Sequence, residues 1–108
     1  MRTVLVLSLL SIASLTNAQD IELISVESLD RLIAKKSDKV QVYNFWASWC
    51  GPCVKEMPYF EELNSSKSAD VVFISLDFPE DIQKAQKLIT KKSIESATYL
   101  LNSTNYDD

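Results

Sequence analysis

Apolar and polar positions along this chain alternate between two rhythms, and each change of rhythm marks an element. From Glu27 to Lys36, Leu29, Leu32 and Ile33 share one helical face. Glu27 and Asp30 come early there and Lys35 and Lys36 late, an order that complements a helix dipole. Ser37-Asp38-Lys39 breaks the pattern. Val40 to Trp46 reads as a strand, apolar on both sides apart from Gln41 and Asn44, as expected of a central strand covered on both faces. A helix is predicted from Pro52 to Ser65, with Val54, Met57, Phe60 and Leu63 inward and Lys55, Glu61 and Glu62 outward. Pro58 lies inside it, where it removes one backbone donor and bends the axis. Val71 to Asp77 is a second apolar strand. Pro79-Glu80-Asp81 opens a third helix bearing Ile82, Ala85, Leu88 and Ile89, closed by Lys91 and Lys92. Ala97 to Leu101 reads as a short strand, and Asn102 to Asp108 as a polar tail. No repeat, low-complexity tract or interdomain linker interrupts this order, which predicts an α/β fold with parallel pairing of its two main strands.

The first residues follow neither rhythm. A short basic start at Met1-Arg2-Thr3 precedes an apolar run from Val4 to Leu15, with small residues ahead of Gln19. This predicts a secretory signal peptide over residues 1–18 and one small domain over 19–108. The run is shorter than the roughly 20 residues a spanning helix needs. Removing the leader takes Arg2 away and moves the formal charge from −4 to −5. That acidic balance argues against nucleic acid or an anionic membrane surface as a partner.

The chain holds two cysteines and no histidine, which does not make a closed zinc site. Copper delivery by a cysteine pair stays open, and no resident metal or cofactor is expected. Cys50 and Cys53 follow the first main strand and begin the second helix. A thiol there faces unpaired backbone N–H groups and the positive end of the helix dipole, both of which favour the thiolate. The second thiol is close enough to close a small disulfide ring. A ring of that size braces little, so reactivity explains the pair better than stapling does.

Several neighbours suit that chemistry. Cys50, nearer solvent at the helix start, is the candidate nucleophile, and Cys53, one turn inward, the thiol that resolves the mixed disulfide. Gly51 allows the turn and the approach of a partner backbone, while Pro52 fixes φ at the helix start without wasting a donor. Glu56 is read in two ways: a half-buried carboxyl that relays the Cys53 proton, or an acid that suits the helix dipole. Asn44 either orients groups near Cys53 or is a hydrogen-bonded core amide. Trp49 is a candidate apolar platform for a partner chain, and Trp46 a core residue.

Trp49-Cys50-Gly51-Pro52-Cys53, with Pro58 five residues on, resembles the active-site segment of the thioredoxin superfamily. The wider stretch from Tyr43 to Pro58 is most similar to its exported TlpA/ResA-type thiol–disulfide oxidoreductases. Asn44 stands where thioredoxins usually keep a buried aspartate, and Glu56 follows three residues after Cys53; both favour that branch. The resemblance covers about residues 25–92 and implies an incomplete thioredoxin-like fold, the front β-α-β-α part of a mixed sheet with flanking helices. Pro52, Pro58 and Pro79 do not match the family's cis-proline loop, and the sixteen residues after Lys92 are too few for the elements that follow it. The chain is therefore expected to stop before that loop.

What the resemblance implies for function is a protein-disulfide reductase in the periplasm or cell envelope, with secretion as the second choice. It would act on protein disulfides, in redox homeostasis or cytochrome maturation, and be recharged by a membrane thiol-relay electron donor. The Gly-Pro insert resembles the reducing members, whose potentials lie near about −270 mV. Two other readings remain: a truncated, catalytically impaired thioredoxin-like fragment, and a non-catalytic binding or metallochaperone module.

Overall fold

Ser25 sets the first helix. Its hydroxyl accepts the Ser28 backbone N–H at 3.1 Å, satisfying one of the donors that every helix start leaves over. The computed structural model describes residues 20–103, so the predicted signal peptide and the last five residues of the tail lie outside the described residues. The elements are β1 (Glu22–Ile24), α1 (Val26–Ala34), β2 (Gln41–Trp46), α2 (Gly51–Ser65), β3 (Asp70–Ser75), a 3-10 turn at Pro79–Asp81, α3 (Ile82–Lys91) and β4 (Ala97–Leu101).

The strands form one sheet in the order β1-β4-β3-β2, and each neighbouring pair is parallel. The predicted pairing of the two main strands is therefore present, with Val42 opposite Val71, Asn44 opposite Phe73 and Trp46 opposite Ser75. The described sheet is thus wholly parallel, within the α/β arrangement of elements predicted. Successive side chains of a strand face opposite ways, so β3 serves two layers. Val71 and Phe73 meet α2 and α3 through Met57, Ala85 and Ile89, while Val72 and Ile74 meet α1 through Leu29 and Leu32.

Helix ends are closed by backbone geometry where glycine is scarce. After α2, Lys67 takes φ 60° while its N–H donates to the Asn64 carbonyl and that of Ser68 to Leu63. After α3, Ser93 takes φ 54° and the same two bonds run from Ser93 to Thr90 and from Ile94 to Ile89. Both are Schellman closures. Gly51, the chain's single glycine, lies elsewhere.

One element goes unpredicted and three expectations change. The first strand, β1, is three residues long, and a period cannot be read from so short a segment. The helix opened by Pro79 begins as a 3-10 turn and becomes α-helical only at Ile82. Glu61 does not point to solvent. Its carboxylate is half-buried and accepts the backbone N–H groups of Glu95 (2.8 Å) and Ser96 (3.2 Å) and the Ser96 hydroxyl, which ties α2 to the segment before β4. Finally β2, read as a central strand, pairs only with β3 among the described residues. One side of its backbone is open, and Phe45 remains 46% exposed. The Tyr43 phenol on that strand donates to the Leu32 carbonyl at 3.1 Å. Burial, with a smaller contribution from Tyr99, pushes its pKa above the usual 10.0.

Candidate disulfide site

β2 ends at Trp46, a buried core residue as expected. The chain then turns through Ala47–Cys50, closed by the Cys50 N–H donating to the Ala47 carbonyl at 3.1 Å. Cys50 is the N-cap of α2, with φ −95° and ψ 94°, and its carbonyl accepts from Val54 at 3.1 Å. No side chain caps the helix start, and its first turn carries no acidic residue. The positive end of α2 is left for the sulfur at its mouth.

Cys50 and Cys53 are joined in a disulfide, with Cα atoms 5.3 Å apart. Both are half-buried. Cys53 packs against the core cluster of Trp46, Met57 and Phe73, so the pair runs from the helix mouth inward. Pro52 stands in the first turn of α2. Gly51 has no positive φ, and a Cβ there would meet nothing within 4 Å. The backbone of the turn makes no demand for glycine here; what Gly51 leaves is open space above the helix mouth.

Trp49 lies beside the cysteines and is 74% exposed. Leu76 donates its N–H to the Trp46 carbonyl at 2.7 Å, which brings the chain leaving β3 to the same end of the sheet. Leu76 and Phe78 are also exposed.

Two sequence readings lose their premise. Glu56 is exposed rather than half-buried, and it sits beyond the first turn of α2. At that position neither proton holding by burial nor a first-turn dipole contact applies. Asn44 is half-buried on the α2/α3 face, but its Oδ1 is buried with no hydrogen-bond partner, so it is not the satisfied amide expected. The Trp46 Nε1 donor, two residues along the same face, is likewise unpaired.

Asp77 is the residue that sequence reasoning missed, having been placed at the end of a strand. It is 2% exposed. Its carboxylate accepts the Ser48 backbone N–H at 3.0 Å, the Ser48 hydroxyl at 2.5 Å and the Ser75 hydroxyl at 2.6 Å. An acid just after an apolar strand that ends in serine was the signal available. Among the described residues no group of three or more His, Cys, Asp or Glu side chains is gathered as a metal site would require.

The sequence pattern of the Redoxin family matches residues 16–105. A thioredoxin of Malassezia sympodialis is 44% identical over 52 residues, covering 47% of this chain and 50% of that protein. The thiol-disulfide oxidoreductase ResA of Oceanobacillus iheyensis is 40% identical over 60 residues, covering 50% of this chain and 31% of the relative. Among solved structures, a secreted disulfide oxidoreductase of Mycobacterium tuberculosis, homologous to E. coli DsbE, aligns with TM-score 0.47 and 24% identity over 57% of this chain and 46% of its own. The chain thus spans half or less of the length of these relatives.

Proposed function

Because this chain belongs to the Redoxin family, we propose that it exchanges thiols and disulfides through Cys50 and Cys53, acting as a reductase of protein disulfides. One observation carries the reading: a disulfide closed across the uncapped, acid-free start of a helix. In the reduced protein the Cys50 thiolate attacks one sulfur of a partner disulfide, and the partner's other sulfur leaves as thiolate. Cys53, having lost its proton, then attacks the Cys50 sulfur and expels the partner's second thiolate. The partner gains two electrons, and the protein ends with the Cys50–Cys53 bond.

Trp49 offers the partner chain an apolar platform, and Gly51 lets its backbone come close. Pro52 holds the first turn of α2 in helical φ. Asn44, with a buried and unpaired oxygen, is an orienting group on the core side. Glu56 keeps only a surface role, and Glu56→Gln is expected to leave the pH dependence of exchange unchanged in a stopped-flow reduction assay.

The finer reading is an exported protein of the periplasm or cell envelope, recharged by a membrane thiol-relay donor and serving protein disulfides or cytochrome maturation. It rests on the likeness of Tyr43–Pro58 to the TlpA/ResA branch and on the apolar leader over residues 1–18. A second reading, a catalytically impaired thioredoxin-like domain, is favoured by one observation: among the described residues, the strand that leads to the cysteines has an open side.

Disulfide reduction by the purified chain, measured against Cys50→Ser, separates the two. The wild-type protein is expected to speed dithiothreitol-driven reduction of a protein disulfide, and Cys50→Ser to fall to the uncatalysed rate. Equal rates for both proteins, or a Cys50 that titrates by alkylation like free cysteine near about 8.5, would end the reductase reading.

A further inference from the structure

We propose that Asp77 is a positioning residue for this exchange: it holds the turn before Cys50 and thereby sets how readily the Cys50–Cys53 bond closes. The inference rests on the redox reading of that pair. Burying a carboxylate costs free energy unless its oxygens are fully bonded. Asp77 is 2% exposed, while Leu76 and Phe78 on either side of it face solvent. Burial of apolar surface alone would give the reverse arrangement. A local rule broken in this way is expected where a site needs it.

The hydrogen bonds say what the site gains. Ser48 lies within the Ala47–Cys50 turn, whose backbone closure is the one bond from Cys50 to Ala47. Asp77 takes both the N–H and the hydroxyl of Ser48, and it is fixed in turn by the Ser75 hydroxyl and by its own N–H donating to that oxygen at 3.1 Å. The carboxylate therefore joins the end of β3 to the turn that aims the Cys50 sulfur. The two thiols react with each other as an intramolecular pair, and the effective concentration of one at the other depends on how well that aim is kept. Loosening the turn lowers it and favours the reduced form.

The test is the equilibrium constant of the full chain with glutathione, read by trapping free thiols at several glutathione ratios. Asp77→Ala is expected to lower the constant for disulfide closure about tenfold, equivalent to about 30 mV for two electrons. Removing a buried negative charge would also ease thiolate formation, so Ser48 variants separate geometry from charge. Ser48→Ala keeps the carboxylate and is expected to shift the constant several-fold the same way, while Ser48→Thr, which keeps the hydroxyl, restores it. Circular dichroism checks folding at the same temperature, and the Ser48 pair decides the matter if Asp77→Ala does not fold. A Ser48→Ala protein with the wild-type constant overturns the proposal, even if it melts at a lower temperature. A wild-type protein whose cysteines do not equilibrate with glutathione at all overturns the redox reading, and this inference with it.

Discussion

Cys53→Ser protein, reduced and then mixed with a disulfide-bonded substrate, is expected to accumulate a covalent adduct through Cys50. The wild-type protein forms the same adduct only transiently. The reason lies in the geometry: the resolving sulfur is held at the next turn of α2, with the two Cα atoms 5.3 Å apart. Removing it turns an intramolecular step into a bimolecular one, which slows release by at least about 10³-fold. Non-reducing electrophoresis and intact mass would show the adduct. A Cys53→Ser protein that turns over like wild type would show that Cys53 does not resolve the mixed disulfide.

The second large effect falls on stability. Phe73 is 0% exposed at the middle of β3, between Asn44 on β2 and Thr98 on β4, with the α2 and α3 side chains above it. Phe73→Ala removes a large buried ring from a close-packed site, at a cost of about 3–5 kcal/mol. That is a large part of the roughly 5–15 kcal/mol that holds a whole domain together. The melting temperature is expected to fall by roughly 15–30 °C, read by circular dichroism. Phe45→Ala, at a half-exposed position of β2, is the control and is expected to cost clearly less than Phe73→Ala. Equal losses at the two positions would mean that the β3 layer is not the core.

Periodicity and breakers made α2, β3 and β4 legible from sequence, because each is long enough, or cleanly enough bounded, for its apolar positions to repeat. The cysteine pair was legible for a different reason: its chemistry is local, set by the end of a strand and the start of a helix. What stayed hidden depends on partners distant in sequence. A helical wheel placed Glu61 outward because it cannot see the segment before β4, whose N–H groups the carboxylate binds. The apolar run Val40–Trp46 overstated how much of the strand is covered, since Val40 and Phe45 are exposed, and it did not tell what lies beside it. Asp77 was overlooked since its bonds reach Ser48, 29 residues back. Asn44 was weighed on its strand face and Glu56 on its spacing from Cys53; the first lacks the bonding expected of a core amide and the second the burial.

The open side of β2 has a consequence for how concentrated solutions behave. Its six residues offer unused amide and carbonyl groups that can recruit an identical border from another molecule. The opposite margin, β1, is three residues long and begins with the charged Glu22, too short and too polar to recruit in turn. Among the described residues, joining along β2 would use the longer of the sheet's two margins, which favours pairs over fibres.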